Sequence, residues 1–220
     1  MEIAGILFDL YGTLFTYGNM SKAFSIWHQD LSHALRGIGV STTATQVARL
    51  CKHFFSEQVP KESRYTEYEA RLKHLVERYG VRPDENWIRR TASTSMNRWQ
   101  GFVPIHPEAK FLLQSLKKKG IKVGIISNFQ HAPHVRKVLQ RNGILKILDA
   151  VVISGEVHAK KPEPRIFEIA LEKLGTKPEE TLFVGDDPEC DIRGAAAVGI
   201  RTRLFQNGAS LLKTLEKDIR

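Results

Sequence analysis

Four short apolar runs divide the chain, and each of them ends in polar residues or glycine. Runs of this kind, bounded by turn residues, are typical of buried β-strands that lead into a loop. The runs, with the residues that follow them, are 3–8 before Asp9, 122–126 before Ser127-Asn128, 150–153 before Ser154-Gly155, and 181–184 before Gly185-Asp186. We therefore predict four strands, each presenting polar side chains at its carboxyl end.

Apolar residues with helical spacing lie between the later runs. The predicted helices and the glycines that follow them are 107–119 with Gly120, 132–141 with Gly143, and 164–174 with Gly175. Glycine is favoured at such ends because it adopts the left-handed conformation at little cost. Strands that alternate with helices predict an α/β fold, a parallel sheet between two helical layers. Ligands bind at the carboxyl ends of such strands, so we expect the polar clusters to converge on one rim.

Residues 16–101 interrupt this alternation. They contain helical patterns at 20–36, 44–56, 64–79 and 84–99, and no run of the buried-strand type. All three tryptophans lie in this segment, which gives it enough apolar material for a small helical bundle. We predict an α-helical cap at 16–101, inserted into a core formed by 1–15 and 102–220. We expect the cap to close over the rim of the core and to select the substrate.

Composition limits the classes of protein to consider. Of the residues, 42% are hydrophobic and 26% are charged, as is ordinary for a folded soluble protein. Two cysteines are too few for a disulfide framework, and no apolar run is long enough to span a membrane. The given sequence runs directly into the first strand, and we expect no leader segment. We therefore expect a cytoplasmic protein without a membrane partner, either a monomer or a homodimer.

The net charge of +9 attracts anionic partners, but basic residues on a solvated helix face are the more ordinary source of such a surplus. The basic residues are dispersed, their longest run is 117–119, and neither a zinc finger nor an aromatic RNA-binding pattern is present. We expect a small anionic, phosphorylated substrate and no nucleic acid. His131 and His134 have no third ligand at a suitable spacing. We therefore expect these two side chains to be solvated or to contact substrate rather than to bind a metal.

The polar residues at the strand ends form four motifs. The stretch 8–14, Phe-Asp-Leu-Tyr-Gly-Thr-Leu, resembles the first signature of the haloacid dehalogenase-like superfamily. Ser127-Asn128, Lys161-Pro162 and Gly185-Asp186-Asp187 with Asp191 are similar to its later signatures and occur in the same order. Taken singly, Asp9 can close a turn, Ser127-Asn128 can cap a helix and Lys161 can lie on the surface. Together, at successive strand ends, they favour the family.

The resemblance implies a Rossmann-like core and a hydrolase in which Asp9 attacks a phosphate ester and forms an aspartyl phosphate. The implied catalytic residues are Asp9, Tyr11, Thr13, Ser127, Asn128 and Lys161. Phosphate and carboxylate repel one another, so Mg²⁺ is the implied cofactor. Its implied ligands are Asp9, Asp186 and the main-chain carbonyl of Tyr11, with Asp187 or Asp191 acting through water or from further out.

Position 11 departs from the pattern of the family's phosphatases, which usually carry a second aspartate there as general acid and base. Tyr11 is a poor base at neutral pH, because the ordinary pKa of tyrosine is about 10. The 2-haloacid dehalogenases of the family carry tyrosine at this position and attack carbon without a metal. A phosphatase with Tyr11 would need a good leaving group or a cap carboxylate such as Glu57 or Glu67, or it would be slow.

Two features oppose dehalogenation. The fourth motif keeps its acidic form, and crowded carboxylates are costly without a cation. Phe167 stands where the dehalogenases carry a tyrosine, and Arg36 matches their halide-binding arginine only loosely. We therefore predict Mg²⁺-dependent hydrolysis of a small phosphomonoester. The alternatives are a 2-haloacid dehalogenase and a protein of this fold that mainly binds an anionic ligand or a macromolecular partner, with Tyr11 marking lost turnover.

Overall fold

The computed structural model describes residues 2–60 and 62–219, which form two compact units. The core unit comprises Met1–Tyr17 and Pro104–Arg220, and the helical unit comprises Gly18–Val103. The boundaries predicted after residues 15 and 101 lie two residues before those of the structure at both junctions. One contiguous segment therefore forms the helical unit, and the two segments that flank it form the core unit.

The core unit is built on a five-stranded sheet with the order β3-β2-β1-β4-β5. The strands are β1 Gly5–Asp9, β2 Lys122–Ser127, β3 Ala150–Ile153, β4 Thr181–Gly185 and β5 Arg201–Leu204. All neighbouring strands are parallel, which confirms the predicted α/β fold. Because β1 pairs with β2 on one side and β4 on the other, its carboxyl end lies in the middle of the rim.

The fifth strand is absent from the sequence prediction. Every residue of β5 is half-buried or exposed, and two of its four residues are arginines, so it forms no apolar run. All residues of β1 and β4 are buried, in contrast. Apolar runs therefore reveal strands that are covered on both faces and miss this edge strand.

The described residues of the helical unit, 18–60 and 62–103, contain four α-helices. They are α1 Met20–Arg36, α2 Ala44–Leu50, α3 Glu67–Glu77 and α4 Glu85–Gln100. A polar side chain accepts a main-chain N–H at the start of each helix, which satisfies donors that have no intrahelical partner. The four capping residues are Asn19, Thr43, Thr66 and Asp84. The helix predicted over 44–56 ends earlier, since α2 passes into a 3₁₀ turn at Cys51–His53.

Helices on both faces of the sheet complete the core unit. They are α5 Ala109–Lys118, α6 Ala132–Arg141, α7 Ser154–Val157, α8 Pro164–Leu174, α9 Gly194–Ala196 and α10 Leu211–Leu215, with a 3₁₀ turn at Pro178–Glu180 and a π-helical segment at Pro188–Arg193. Gly120, Gly143 and Gly175 have positive φ angles of 79°, 66° and 65°, as predicted for residues that close helices. Across 2–60 and 62–219, no helix combines the length and apolar character of a membrane span.

His131 and His134 are buried, so the first of their two expected roles, solvation, is wrong, and contact with substrate stays a prediction. The ring of His134 stacks on that of Phe129, with centroids 5.8 Å apart. Burial lowers the pKa of His134 to about 3, and His131, Arg141 and Lys137 add to this effect. His134 is therefore a neutral, packed side chain at physiological pH.

Candidate active site

Three polar side chains meet at the carboxyl end of the central strand. Asp9 is the last residue of β1, Lys161 precedes α8, and Asp191 lies in the π-helical segment after β4. The Nζ atom of Lys161 lies 2.5 Å from Oδ1 of Asp9 and 2.6 Å from Oδ1 of Asp191. Lys161, Asp9 and Asp191 are 4%, 6% and 1% exposed, respectively. The structure thus brings the predicted nucleophile and the predicted lysine into one buried ion-pair network.

The electrostatics of this network follow from burial and from the excess of carboxylates. Burial raises the pKa of Asp9, Lys161 opposes the rise, and Asp191 and Asp186 add to it. Burial alone would lower the pKa of Lys161, but the carboxylates of Asp9 and Asp191 hold it above its ordinary value. Lys161 therefore remains charged, and its one ammonium is shared by two buried acids, Asp9 and Asp191.

Asp9, Asp186 and Asp191 form an acidic cluster in which each residue offers an oxygen within 4.8 Å of the others. Burial raises the pKa of Asp186, and the neighbouring Asp191 raises it further. The Oδ2 atom of Asp9 is buried and has no hydrogen-bond partner among the described residues. An unpaired buried carboxylate oxygen is costly, whereas hard oxygen donors at this spacing suit a divalent cation such as Mg²⁺.

Glycine makes this close packing possible. Gly12 has a φ angle of 115°, and a Cβ atom there would lie 2.2 Å from Oδ2 of Asp186. A Cβ atom on Gly185 would lie 2.3 Å from Oδ2 of Asp191. A side chain at either position would displace a carboxylate of the cluster, so the glycines of the first and fourth motifs shape the site.

Asp187 has a different place from its acidic neighbours. Its Oδ1 atom accepts hydrogen bonds from the main-chain N–H groups of Glu189 and Cys190, both at 2.8 Å. These bonds, the one from Cys190 foremost, lower the pKa of Asp187. Its own N–H donates to Oδ2 of Asp191 at 3.0 Å. Asp187 therefore caps the π-helical segment and orients Asp191, and it is not one of the three clustered acids.

The other predicted catalytic residues lie at the same rim. Thr13 is buried, and its Oγ1 atom lies 3.5 Å from Oδ1 of Asp186. Ser127 is buried at the end of β2, next to β1 in the sheet. The side chain of Asn128 instead contacts the main chain of Lys161, with its Oδ1 accepting from the N–H group at 2.8 Å and its Nδ2 donating to the carbonyl at 2.9 Å.

Tyr17 is a site residue that the sequence did not reveal. Its hydroxyl donates to the main-chain carbonyl of Tyr11 at 2.8 Å, the oxygen implied as a metal ligand. Burial raises the pKa of Tyr17, and the carboxylates of Asp9, Asp186 and Asp191 add to the effect. Burial also raises the pKa of Tyr11, whose ring packs 4.9 Å from that of Phe129. Both tyrosines are therefore neutral, and a lone aromatic six positions after Tyr11 gave no signal in the sequence.

The cap residues considered as catalytic candidates lie in the helical unit. The carboxylate of Glu57 lies 3.5 Å from Arg78 and 3.9 Å from His74, and that of Glu67 lies 2.6 Å from Arg71. Both acids thus have basic partners within their own unit. Arg36 is exposed at the end of α1.

Two curated phosphatases are similar to this chain. A phosphoserine phosphatase of Thermus thermophilus is 38% identical over 106 residues, which span 48% of this chain and 42% of that protein. A glyceraldehyde 3-phosphate phosphatase of Methanopyrus kandleri is 26% identical over 206 residues, which span 94% of this chain and 85% of that protein. The chain thus covers less than half of the first relative and most of the second.

Solved structures share the fold. The crystal structure of a HAD phosphatase from Thermococcus onnurineus has a TM-score of 0.65 and 23% identity, covering 96% of this chain and 89% of its own. That of a 2-haloacid dehalogenase from Pseudomonas syringae pv. Tomato has the same TM-score with 21% identity, covering 94% and 89%. A phosphatase and a dehalogenase match equally well, so the fold does not distinguish their reactions.

Membership of a family rests on a broader match. The family model described as haloacid dehalogenase-like hydrolase matches residues 3–199, a span that contains all of β1 to β4 and all four motifs. The order of the motifs in the sequence and their convergence on one rim agree with this match. The chain therefore belongs to the haloacid dehalogenase-like hydrolases.

Proposed function

We propose that the protein is a Mg²⁺-dependent phosphatase that hydrolyses a small phosphomonoester through an aspartyl phosphate on Asp9. The observation that carries this proposal is the state of the Asp9 carboxylate. Its Oδ1 atom is held by Lys161 at 2.5 Å, while its Oδ2 atom is buried without a hydrogen-bond partner in the described part of the chain. A carboxylate fixed by one oxygen, with the other unpaired, is prepared to bind a cation and to attack an electrophile.

The reaction divides into two displacements at phosphorus. A carboxylate oxygen of Asp9 attacks the phosphorus atom, the bond to the ester oxygen breaks, and that oxygen leaves with the electron pair and takes a proton from water. Water then attacks the aspartyl phosphate, the bond between Asp9 and phosphorus breaks, and inorganic phosphate leaves. The Lys161 ammonium stays charged throughout and stabilises the negative charge that develops on the phosphoryl oxygens.

The acidic cluster fits a divalent cation. Asp9 and Asp186 would hold Mg²⁺ together with the main-chain carbonyl of Tyr11, and Asp191 would orient Lys161. All of these donors are oxygens, which Mg²⁺ prefers. When bound, Mg²⁺ would offset the repulsion between the carboxylates and the incoming phosphate. The three carboxylates within 4.8 Å of one another support this assignment.

Tyr11 determines how efficient such a phosphatase is. Burial raises the pKa of its phenol, so Tyr11 cannot take a proton from water at neutral pH. We expect turnover to depend strongly on the leaving group for this reason. In Tyr11→Asp, the added carboxylate would serve as general acid and base and raise kcat by about 10²-fold. An unchanged or lower kcat in Tyr11→Asp, measured with an alkyl phosphate, would contradict the idea that a missing general acid and base limits turnover.

A 2-haloacid dehalogenase is the second candidate, because Tyr11 is the residue of that class at this position. Because Tyr11 is compatible with both reactions, phosphatase and dehalogenase activity should be measured side by side. The test is release of phosphate from a panel of phosphomonoesters and of halide from 2-chloropropionate, each with Mg²⁺ and with excess chelator. We expect phosphate release that the chelator abolishes. Halide release that survives the chelator would refute the phosphatase proposal.

A further inference from the structure

The loop after β2 contains a contact between two distant motifs. Asn128 and Lys161 are 33 residues apart, yet the side-chain amide of Asn128 makes two hydrogen bonds to the main chain of Lys161. Its Oδ1 atom accepts from the N–H group at 2.8 Å, and its Nδ2 atom donates to the carbonyl at 2.9 Å. The oxygen and the nitrogen of one side-chain amide thus bind the N–H and C=O groups of one residue. A neighbouring β-strand would satisfy the same two main-chain groups.

This clamp bears on the lysine side chain. Lys161 must reach Asp9 and Asp191 with a single Nζ atom, at 2.5 Å and 2.6 Å, inside a site where it is 4% exposed. With its N–H and C=O groups both fixed, the direction in which the side chain leaves the backbone is fixed as well. A small rotation of the main chain would move the ammonium far enough to lengthen or break its contacts with Asp9 and Asp191.

The loop that carries Asn128 is itself anchored to the end of β3. The N–H group of Phe129 donates to Oγ of Ser154 at 2.9 Å, and the N–H group of Gly155 donates to the Phe129 carbonyl at 3.2 Å. A Cβ atom on Gly155 would lie 2.9 Å from that carbonyl, so glycine is required for this approach. The loop therefore has a fixed position from which Asn128 can hold Lys161.

We propose that Asn128 is a positioning residue, which sets the direction of Lys161 through its main chain and does not need to touch the substrate. The catalytic consequence rests on the proposed function, in which Lys161 stabilises the transferring phosphoryl group. Asparagine suits this role because one planar group must both donate and accept. Aspartate cannot donate, and alanine or serine cannot span the gap to both main-chain groups.

The kinetic test compares two asparagine substitutions in the core unit. Asn128→Ala removes the clamp at an exposed position, so no cavity forms. Asn142→Ala is the matched control, because Asn142 also donates from Nδ2 to a main-chain carbonyl, that of Val138 at 2.8 Å, at the end of α6. We expect kcat to fall about 10- to 100-fold in Asn128→Ala with KM nearly unchanged, and no such fall in Asn142→Ala.

The second readout is independent of activity. The ammonium protons of a buried, doubly paired lysine exchange slowly with water, so Lys161 should give a resolved ¹⁵N–¹H signal that is identified by its loss in Lys161→Met. We expect the signal to shift or broaden in Asn128→Ala and to persist in Asn142→Ala. Should Asn128→Ala not fold, Asn128→Gln, which keeps the amide but displaces it, provides the same comparison.

The two readouts separate the inference from the proposed function. A protein that releases phosphate from no ester, but whose Lys161 signal depends on Asn128, would retain the positioning role and lose the phosphatase proposal. A Lys161 signal that is unchanged in a folded Asn128→Ala protein would overturn the positioning role. This holds even if kcat falls, because the loss would then come from a direct contact of Asn128 with substrate.

Discussion

In the helical unit, Trp27 Nε1 donates to the Tyr68 hydroxyl at 2.8 Å, that hydroxyl bonds Ser95 Oγ at 2.8 Å, and Ser95 donates to the Thr91 carbonyl at 2.8 Å. In the core unit, by contrast, three carboxylates lie within 4.8 Å of one another and Asp9 Oδ2 is buried without a partner among the described residues. Both networks are buried and polar. One is a closed chain of bonds, and the other is incomplete.

Under the proposed function, this difference separates a structural network from a functional one. Buried polar groups stabilise a fold only when they are satisfied, because each unpaired group retains the cost of leaving water. The chain from Trp27 to Thr91 meets that condition with its own atoms. The acidic cluster does not, and a cation and a phosphate group would supply the missing partners. Substitutions in the two networks should therefore act on different properties of the protein.

Asp9→Asn should have the largest effect, and it should act on catalysis. The substitution removes the proposed nucleophile, so we expect phosphate release to fall by more than about 10³-fold. It also removes one of three crowded carboxylates, while Lys161 keeps its contact with Asp191. We therefore expect a melting temperature no lower than that of the wild type. Enzyme assays and thermal unfolding of the same preparation measure both effects.

Asp84→Asn is the matched control for this prediction. Asp84 caps α4 by accepting from the N–H group of Trp87 at 2.7 Å, and asparagine caps helices about as well. We expect this variant to keep both activity and stability. Substantial phosphate release by Asp9→Asn, or a melting temperature well below that of Asp84→Asn, would contradict the division between the two networks.

Tyr68→Phe should have the opposite effect: it should lower stability and leave catalysis nearly unchanged. Loss of the hydroxyl leaves the Trp27 N–H group without its acceptor inside the helical unit, which costs about 1–3 kcal/mol of stability. The site in the core unit keeps all its groups, so we expect kcat to change little at a temperature where the variant is folded. Tyr65→Phe, at a half-buried position in the same segment, is the control, with a smaller expected loss. Urea unfolding curves compare the variants, and equal losses would argue against the closed network.

The smallest expected effect is the contribution of His134 to the free energy of unfolding, which depends on pH. Burial lowers its pKa to about 3 in the folded state, below the 6.5 of an unperturbed histidine. The unfolded chain therefore binds a proton first as the pH falls, and the stability that His134 contributes is present above pH 6.5 and is lost below it. One proton corresponds to about 1.4 kcal/mol per pH unit.

Between pH 6.5 and 5.5 we accordingly expect His134→Phe to lose less stability than the wild type, by about 1 kcal/mol or less. The exposed His53→Phe serves as control, since it keeps His134 and with it the slope. The measurement is the free energy of unfolding as a function of pH. Parallel curves for His134→Phe and the wild type would mean that His134 is not held neutral by the fold.

The sequence predicted the parts of the fold that rest on local patterns. The apolar runs that end at Asp9, Ser127 and Gly185 are strands because both of their faces are covered, and α6 and α8 have the predicted bounds. The sequence prediction missed β5 because its residues are half-buried or exposed and include two arginines, so they form no apolar run. The extent of burial therefore explains both the successes and the failure.

The convergence of the motifs on one rim could be predicted from the sequence, but the contacts of their side chains could not. The family resemblance implied that Asp187 or Asp191 acts near a metal site through water or from further out. In the structure, Asp187 caps the π-helical segment and Asp191 faces Lys161. The hydroxyl of Tyr17 and the amide of Asn128 act on main-chain atoms 6 and 33 residues away. Such bonds depend on how loops meet in three dimensions, and no local pattern records them.

The most direct test of the incomplete network is a titration of Mg²⁺ into the wild-type protein and into Asp186→Asn, followed by melting temperature. A cation that binds only the folded protein raises that temperature. We expect a rise for the wild type that saturates with Mg²⁺ and a much smaller rise for Asp186→Asn. Equal responses of the two proteins, or no response in the wild type, would contradict a cation site in the acidic cluster.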